Sequence, residues 1–310
     1  MTNDVLGRKA GKRRTLSAKR REWLAGYLFV LPDALGLLVF LGLPMFLSLI
    51  LGLFEVDGFG GYRFVGLGNY ARMMKDPLFW SAARVTALYA VMLVPLLYAS
   101  GLGLALLVQK TNRFNAVMRS MFFAPHIVSL VVVALVWQLM VVDKIGVISR
   151  LIAMTGLGGV SFLGDPSFAL ITVVAVSVWF LMGYYMLIFL GGLQDIPTEY
   201  YEAAEIDGAG PVARFWYITL PLLKPTSFFV LMVSMVAAVA GAQAFDIVYV
   251  MTKGGPANAT SVLIVYIYQQ AFGFGAFGYA AAMASILVIA LMMLTAALFL
   301  ITRGGRFHHE

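Results

Sequence analysis

The chain has 310 residues, of which 61% are hydrophobic and only 12% are charged, and its formal net charge is +7. Soluble domains carry about 25% charged residues, so this composition excludes an ordinary soluble protein. The apolar stretches lack the alternation of a membrane barrel, and hydrocarbon otherwise admits only helices, so we predict an all-α membrane protein. The absence of cysteine excludes disulfides, a thiolate nucleophile and a cysteine-based metal site.

The first 22 residues form a basic tail. Eight of the 22 Lys and Arg residues of the chain lie in it, between Arg8 and Arg21. Beside such apolar sequence a basic segment is typical of an orientation signal next to anionic lipid, and we expect no nucleic-acid partner. The apolar run that follows, from Trp23 to Phe54, is far longer than the core of a signal peptide, so we expect it to stay attached as an anchor.

Six apolar regions are long enough to cross a membrane, because a bilayer core of about 30 Å needs about 20 helical residues. We predict one membrane domain over residues 23–302 with six transmembrane helices, at about 26–50, 85–109, 120–142, 169–193, 225–249 and 279–301. The fourth apolar region begins at Pro166, and we expect its first residues to lie in a loop. Residues 254–278 are rich in glycine, which predicts a loop and a short surface helix before the last span.

The distribution of basic residues orients these helices. With six spans, both ends of the chain lie on the same side of the membrane. If the basic tail is inside, the inner segments hold fifteen Lys and Arg residues and the outer segments hold seven. The positive-inside rule counts these residues alone, so we expect the basic tail and the C-terminal tail, residues 303–310, to be cytoplasmic. The loop at residues 195–224, called the acidic loop below, is then cytoplasmic as well.

The acidic loop is the most unusual polar segment of the chain. From Asp195 to Asp207 it carries five carboxylates and no basic residue. Pro197 suits the first position of a helix, Gly208 is a natural helix end, and Gly210-Pro211 favours a second short helix. A helix that lies in the membrane surface usually presents Lys and Arg to the lipid head groups, whereas this one would repel them. Two interpretations are open, a solvated interfacial helix and a docking element for a soluble partner, and the acidity favours the second.

The spacing within the acidic loop resembles a known pattern. Glu202-Ala203-Ala204 is followed after three residues by Gly208, and after nine more by Ile218-Thr219-Leu220-Pro221. This arrangement resembles the coupling loop of importer-type ABC transporter permeases. The resemblance implies that the loop docks into a cleft on a cytoplasmic ATPase subunit, which moves it. The coupling residues that the resemblance implies are Glu202, Ala203, Ala204, Gly208, Leu220 and Pro221.

The chain itself lacks a sequence for ATP hydrolysis. The segment from Gly7 to Lys12 is one residue too short for a phosphate-binding loop, and it is followed by Arg13 rather than by Ser or Thr. We therefore expect no catalytic residue, no metal site and no bound cofactor on this chain. ATP and Mg are expected on separate ATPase subunits, so the prediction is a permease rather than an enzyme.

The resemblance extends over most of the chain from about Ala25 and narrows the family. The segments that are similar to carbohydrate-uptake permeases of the maltose and glycerol-3-phosphate type are 64–70, 76–80, 187–194, 245–252 and 253–260. The Gly254-Gly255-Pro256 stretch resembles the first-type partner of their heterodimeric pairs. These similarities imply a type I ABC importer transmembrane domain in a bacterial or archaeal cytoplasmic membrane.

The same resemblance implies partners and a solute. The partners are a second permease subunit, two cytoplasmic ATPase subunits and an extracytoplasmic solute-binding protein. The solute is expected to be a sugar or a related polyol that crosses by alternating access. The sequence does not choose among mono-, di- and oligosaccharides, polyols and glycerol phosphodiesters.

Candidate residues of the substrate pathway lie on the fourth and fifth spans. Tyr184 aligns with a sugar-contacting position of the maltose-type permease. Small residues on the fifth span either leave room for a solute or pack helices tightly. Tyrosine and glutamine suit a saccharide, because sugars offer hydroxyls for hydrogen bonds and apolar faces for stacking. The predicted pathway residues are Tyr184, Tyr185, Ser234, Gly241, Gln243 and Asp246.

Asp33 and His126 depart from the family pattern. Asp33 is an acid within the first span, which suggests either a buried polar contact in the complex or access to water at the inner leaflet. Proton coupling through Asp33 is disfavoured, because ATP already supplies the driving force. His126 falls near the inner end of the predicted third span, where we interpret it as a packing or interfacial residue.

Two other classes of membrane protein fit the sequence less well. A secondary transporter or channel would be favoured by inverted repeats and paired intramembrane charges, and the sequence shows neither. A membrane-bound enzyme would need His, Asp or Glu residues clustered near the end of a span. The acidic cluster of this chain lies instead on the predicted docking helix.

Overall fold

The computed structural model describes residues 12–56, 60–154 and 161–301. Half of the basic tail and the predicted C-terminal tail, residues 303–310, lie outside these ranges. The described helices are α1 (Lys12–Leu37), α2 (Leu43–Leu51), α3 (Gly68–Lys75), α4 (Pro77–Val108), α5 (Arg113–Ile127), α6 (Leu130–Val141), α7 (Val147–Ile152), α8 (Pro166–Gln194), α9 (Thr198–Ile206), α10 (Pro211–Arg214), α11 (Leu220–Leu222), α12 (Lys224–Ala240), α13 (Ala242–Met251), α14 (Leu263–Tyr268) and α15 (Phe277–Ile301).

Short π-helical turns join several of these helices. They lie at Leu38–Gly42, Phe215–Thr219 and Gln269–Gly273. A small antiparallel hairpin follows α2, in which β1 (Phe54–Val56) pairs with β2 (Tyr62–Phe64). The hairpin departs from the all-helical expectation, but it is only three residues long on each side and does not span a membrane.

Four helical runs of the described chain are long and apolar enough to cross a membrane. They are Ala25–Leu51, which joins α1, a π-helical turn and α2, together with α4, α8 and 277–300 of α15. The number rises to six if the bent pairs α5 with α6 and α10–α11 with α12 each count as one span. None of the most apolar window of the first run is buried, and Asp33 within it is exposed, whereas its last helix, α2, contacts α15.

The helices α4 and α8 begin in the same way, with an aspartate cap followed by a proline. Asp76 Oδ1 accepts a hydrogen bond from the backbone N–H of Leu78 at 2.9 Å. Asp165 Oδ1 accepts one from the backbone N–H of Ser167 at 2.8 Å. These caps satisfy backbone donors that a helix start leaves unpaired. The expectation that the fourth apolar region starts in a loop is wrong, because the capped helix begins at Pro166 and continues for 29 residues.

The third and fifth predicted spans are not single straight helices. α5 and α6 meet at an angle of 94°, where Val128 has extended backbone with ψ 148°. α12 ends at Gly241, whose ψ of 146° is also extended, and α13 continues from Ala242. At its other end α12 is bent by 66° from α10–α11. The third predicted span is therefore divided at Val128 and the fifth at Gly241.

The centre of the bundle is the contact between α4 and α8. A Cβ atom at Gly101 of α4 would lie 2.9 Å from the Cβ atom of Tyr185 of α8, so the missing side chain permits this close approach. The buried hydroxyls of Tyr89 and Ser177 lie 2.8 Å apart and pair with each other across the same interface. A buried hydroxyl without a partner would cost about 1–3 kcal/mol, so this pair fixes the register of the two helices.

Helix α14 is packed inside the fold rather than on its surface. Leu263, Val265 and Tyr266 of α14 are buried, and the backbone N–H of Leu263 donates to Thr86 Oγ1 of α4 at 2.7 Å. The prediction of a short surface helix is therefore wrong. Its N-terminal donor finds a side-chain acceptor on α4, which permits a helix end to be buried.

The carboxylate of Asp76 links three elements at this end of the bundle. Asp76 caps α4, and its Oδ2 atom accepts hydrogen bonds of 2.6 Å from the hydroxyls of Tyr266 and Tyr279. The guanidinium of Arg72 lies 4.2 Å from the centre of the Tyr279 ring. α14 and the start of α15 are thereby fastened to the start of α4.

Candidate functional site

The acidic loop folds into a helix, α9, and a second limb formed by α10, a π-helical turn and α11. The first helical residue is Thr198, so Pro197 lies one position earlier than the sequence predicted. Its ψ of 134° is extended, and it directs the chain into the helix as the residue that precedes the first turn. Glu199 lies in that first turn, where the helix dipole favours a negative charge.

The helix α9 ends in a Schellman motif centred on Gly208. Gly208 has φ +79°, a conformation that side chains with a Cβ atom adopt at a cost. Its backbone N–H donates to Glu205 O at 3.0 Å, and that of Ala209 donates to Ala204 O at 2.8 Å. These are the two bonds that define the motif. The predicted role of Gly208 as a helix end therefore agrees with the local geometry.

Two side-chain contacts hold the limbs of the acidic loop together. The hydroxyls of Tyr201 and Thr219 lie 3.0 Å apart, and Thr219 is buried. Arg214 Nη1 donates to Glu205 Oε2 at 3.0 Å. Sequence reasoning missed these contacts, because nothing in the spacing of Tyr201, Thr219 and Arg214 indicates that they meet. The face of α9 that carries Tyr201 and Glu205 is therefore turned toward the second limb.

The opposite face of α9 points away from the rest of the described chain. Glu202 and Ala203 are exposed, and Ala204 is half-buried. Ile206 at the end of α9 is 87% exposed, and Tyr217 on the second limb is 82% exposed. Exposed apolar surface of this kind marks an interaction site. Sequence reasoning also missed Ile206 and Tyr217, although large apolar residues inside an acidic segment are a signal that could have indicated them.

The two helix ends that flank the acidic loop, the end of α8 and the start of α12, are packed against each other. A Cβ atom at Gly192, near the end of α8, would overlap the side chain of Thr226 at the start of α12. Leu220 and Pro221 are half-buried in the second limb, and Leu223, at the bend into α12, is fully buried. A displacement of the loop therefore acts on both α8 and α12.

The sequence family decides the class of protein. The family described as "Binding-protein-dependent transport system inner membrane component" matches residues 98–303, more than half of the chain. The chain belongs to this family. It is a membrane-spanning permease of an ABC importer and not an enzyme, as the sequence predicted, and the carbohydrate-uptake branch that the sequence resembles is represented among its relatives.

Named relatives cover nearly the full length of the permease. The probable ABC transporter permease protein YesP of Bacillus subtilis is 36% identical over 285 residues, which cover 90% of this chain and 91% of YesP. The lactose transport system permease protein LacF of Rhizobium radiobacter is 34% identical and covers 90% of this chain and 94% of LacF. The trehalose/maltose transport system permease protein MalF of Thermococcus litoralis is 34% identical, with 96% and 98% covered.

A solved structure shares the fold of the permease. It is a chain of a bacterial alginate ABC transporter in complex with an alginate pentasaccharide-bound periplasmic protein. The two chains superpose with a TM-score of 0.81 at 20% identity, over 94% of this chain and 98% of the other. The predicted all-α fold of an importer transmembrane domain is confirmed.

The predicted pathway residues separate into two groups. Tyr185 is 1% exposed and Ser234 is fully buried, so both pack in the core of the described chain. Tyr185 fills the space beside Gly101, and Ser234 Oγ donates to Leu231 O at 3.1 Å. Their burial is explained by helix packing alone.

The other pathway candidates are less buried and lie on α8 and near the break between α12 and α13. Tyr184 is half-buried on α8, and Gly241 forms the break between α12 and α13. Gln243 and Asp246 are half-buried on α13, in the first two turns after this break. Gly241, Gln243 and Asp246 are close in sequence, and the structure adds that they lie at or just after the break between α12 and α13.

His126 lies directly before a break that the sequence did not predict. It is at the C-terminal end of α5, about 20 Å along the helix from Arg113, and directly before the 94° bend. Its position relative to the membrane stays a prediction, and the interpretation of His126 as a packing residue agrees with its ring contacts. Its ring is 5.0 Å from the ring of Tyr184, with 26° between the two planes.

The described residues offer no metal centre. In residues 12–56, 60–154 and 161–301, no group of three or more His, Asp or Glu residues lies close enough together to hold a metal ion.

Proposed function

We propose that this permease subunit imports a sugar or related polyol, and that separate ATPase subunits drive it through the acidic loop. The observation that carries the proposal is the outward face of α9, where Glu202 and Ala203 are exposed beside the 87% exposed side chain of Ile206. An exposed apolar and acidic knob on a membrane protein fits a cleft on a soluble partner better than a lipid surface.

The mechanism follows from the way in which the acidic loop is built. The hydrogen bond between Tyr201 and Thr219 couples the two limbs of the acidic loop. The close contact between Gly192 and Thr226 connects the loop to α8 and α12. A partner that grips α9 and moves it would therefore tilt both helices. ATP and the solute must each prefer one conformation of the bundle, since otherwise neither could shift the equilibrium.

The proposed assembly contains a second permease subunit, two cytoplasmic ATPase subunits that bind ATP and Mg, and an extracytoplasmic solute-binding protein. The family description names a dependence on a binding protein. The exposed apolar run Ala25–Leu51 offers a face for the second permease or for lipid. The acidic loop and both chain termini are placed on the cytoplasmic side of a bacterial or archaeal cytoplasmic membrane.

The proposed solute class has two supports. Relatives are named as permeases for lactose, for trehalose and maltose, and for sn-glycerol-3-phosphate. Within this chain, the phenol ring of Tyr184 and the amide of Gln243 supply the stacking surface and the hydrogen-bonding group that a sugar requires. Gly241 and Asp246 complete the proposed pathway, whereas the buried Tyr185 and Ser234 are left to packing.

The proposal is tested with the complete complex in proteoliposomes. Lactose, maltose, trehalose and sn-glycerol-3-phosphate are supplied with the cognate binding protein, and ATP hydrolysis and uptake are measured. We expect at least one saccharide to stimulate both. The exchange Glu202→Ala should reduce the stimulated ATPase rate, and the charge-matched exchange Glu199→Ala in the first turn of α9 should reduce it less. Uptake by this chain without ATPase subunits would contradict the proposal.

A further inference from the structure

An aromatic cluster of mostly half-buried side chains occupies the crossing of α5 and α8. The imidazole of His126 is surrounded by the rings of Phe123, Phe180 and Tyr184, whose centroids lie 5.7, 5.1 and 5.0 Å away. Phe180 and Tyr184 are four residues apart on α8, so they lie on the same face of that helix and present two consecutive turns to His126.

Backbone contact fixes the position of this crossing. A Cβ atom at Gly183 would overlap the carbonyl oxygen of Phe122, so the glycine lets the backbone of α5 touch α8 directly. Gly183 precedes Tyr184, and Phe122 lies one turn before His126. Because the two backbones meet here, the rings of His126 and Tyr184 are set against each other by the helices themselves.

Ring contacts, rather than hydrogen bonds, hold the two side chains. The Nδ1 atom of His126 is buried and has no hydrogen-bond partner among the described residues. Within residues 12–56, 60–154 and 161–301, the hydroxyl of Tyr184 also makes no hydrogen bond. Tyr184 is instead stacked on His126 at 26° and meets the edge of Tyr185 at 80°. Its orientation therefore depends on the imidazole ring beneath it.

We propose that His126 is a positioning residue for solute selection, which holds the ring of Tyr184 in the orientation that meets the passing sugar. This inference rests on the proposed function, since it takes Tyr184 as a residue of the saccharide pathway. The stack leaves the tyrosine hydroxyl free for a hydroxyl of the solute. Loss of the imidazole ring lets Tyr184 leave its rotamer, and the permease then distinguishes less well between sugars of different shape.

The positioning role requires a flat ring at position 126 and not an imidazole in particular. A phenylalanine would offer the same ring to Phe180 and Tyr184 without a buried nitrogen that lacks a partner. The feature that matters for positioning is the flat ring, so a phenylalanine should serve as well as the histidine. An alanine should not, because it removes the ring on which Tyr184 stacks.

The experiment measures discrimination in the reconstituted complex. Uptake of two saccharides that the same binding protein delivers is measured at saturating concentration, and the ratio of the two maximal rates is compared between variants. A defect in folding alters both rates equally and leaves the ratio unchanged. We expect His126→Ala to change the ratio by about threefold to tenfold, the factor that corresponds to the free energy of one aromatic pair.

Further variants test whether the ring of residue 126, acting through Tyr184, is what changes the ratio of uptake rates. The ratio for His126→Phe should stay within about twofold of the original, given the retained stack. The double variant His126→Ala with Tyr184→Ala should have the same ratio of uptake rates as Tyr184→Ala alone, because His126 acts through Tyr184. The exchange Phe228→Ala, which removes a 5.2 Å ring contact with Phe299 far from the crossing, is the control and should leave the ratio unchanged.

The outcomes distinguish this inference from the proposed function. An unchanged ratio in His126→Ala would overturn the inference alone, and so would a change in His126→Phe as large as in His126→Ala. A complex with the original sequence that carries none of the saccharides would overturn the proposed function and the inference together.

Discussion

The hydroxyls of Tyr201 and Thr219 lie 3.0 Å apart and join the two limbs of the acidic loop. Tyr201 is on α9, whose opposite face is exposed, and Thr219 is buried next to the segment that leads into α12. The contact connects the helix that carries this exposed face to the segment that leads into α12. Removal of this hydrogen bond therefore tests how far the two limbs move together.

The exchange Tyr201→Phe should weaken that connection. Removal of the hydroxyl deletes the hydrogen bond and leaves the buried hydroxyl of Thr219 with one partner fewer, which costs about 0.5–1.5 kcal/mol. We expect ATP hydrolysis to continue while the uptake per ATP falls. The control is Tyr200→Phe, a neighbouring ring that is 53% exposed. Equal uptake per ATP in both variants would show that this hydrogen bond does not transmit motion.

The exchange Gly208→Ala should distort the end of α9. Gly208 has φ +79°, and an alanine in this left-handed region costs about 1–2 kcal/mol. The expected result is a correctly inserted permease that co-purifies less ATPase subunit. The matched control is Gly191→Ala at the end of α8, where a Cβ atom meets nothing within 4 Å. Helical alanine is favoured there, so reduced assembly in both variants would contradict the explanation.

The exchange Gly183→Ala should destabilise the whole permease. The new Cβ atom would overlap the carbonyl oxygen of Phe122, which is backbone and cannot rotate away. Overpacking of this kind costs about 1–3 kcal/mol. We expect a lower midpoint of thermal unfolding in detergent, with Gly191→Ala again as the control. An unaltered midpoint would mean that α5 and α8 do not touch in the assembled protein.

The carboxyl group of Asp76 should make the stability of the fold depend on pH. Burial acts to raise its pKa, but the hydrogen bonds from Tyr266 and Tyr279, with those from the backbone, outweigh burial and set the pKa of Asp76 below its ordinary value. A group whose pKa is lowered by folding stabilises the fold above its unfolded pKa, and this contribution disappears as the pH falls through the folded value.

The test of the Asp76 linkage compares the chain with Asp76→Asn across pH. At pH 7 the variant should unfold at a lower temperature, since an amide accepts these hydrogen bonds less strongly than a carboxylate. The difference should shrink as the pH falls below about 4, where the carboxyl group of the unfolded chain becomes protonated. A difference that stays constant from neutral to acidic pH would show that the charge of Asp76 contributes nothing.

Sequence reasoning recovered those features that depend on local chemistry. The apolar regions predicted the membrane class, and the spacing from Glu202 to Pro221 indicated the family, which the match over residues 98–303 confirms. Gly208 was recognisable as a helix end because a positive φ favours glycine wherever it occurs. The roles of the coupling residues and of the pathway residues stay predictions.

The sequence by itself determined which segments are apolar, where helices can be capped and which loop is acidic, because these properties depend on residues near each other in the chain. Only the tertiary structure decided the 94° bend after His126, the burial of α14 beside Thr86 and the meeting of Tyr201 with Thr219. The direction of a chain after a break, and the partner of a buried polar group, are set by helices that are distant in sequence. No local pattern encodes which of those helices will come within contact distance.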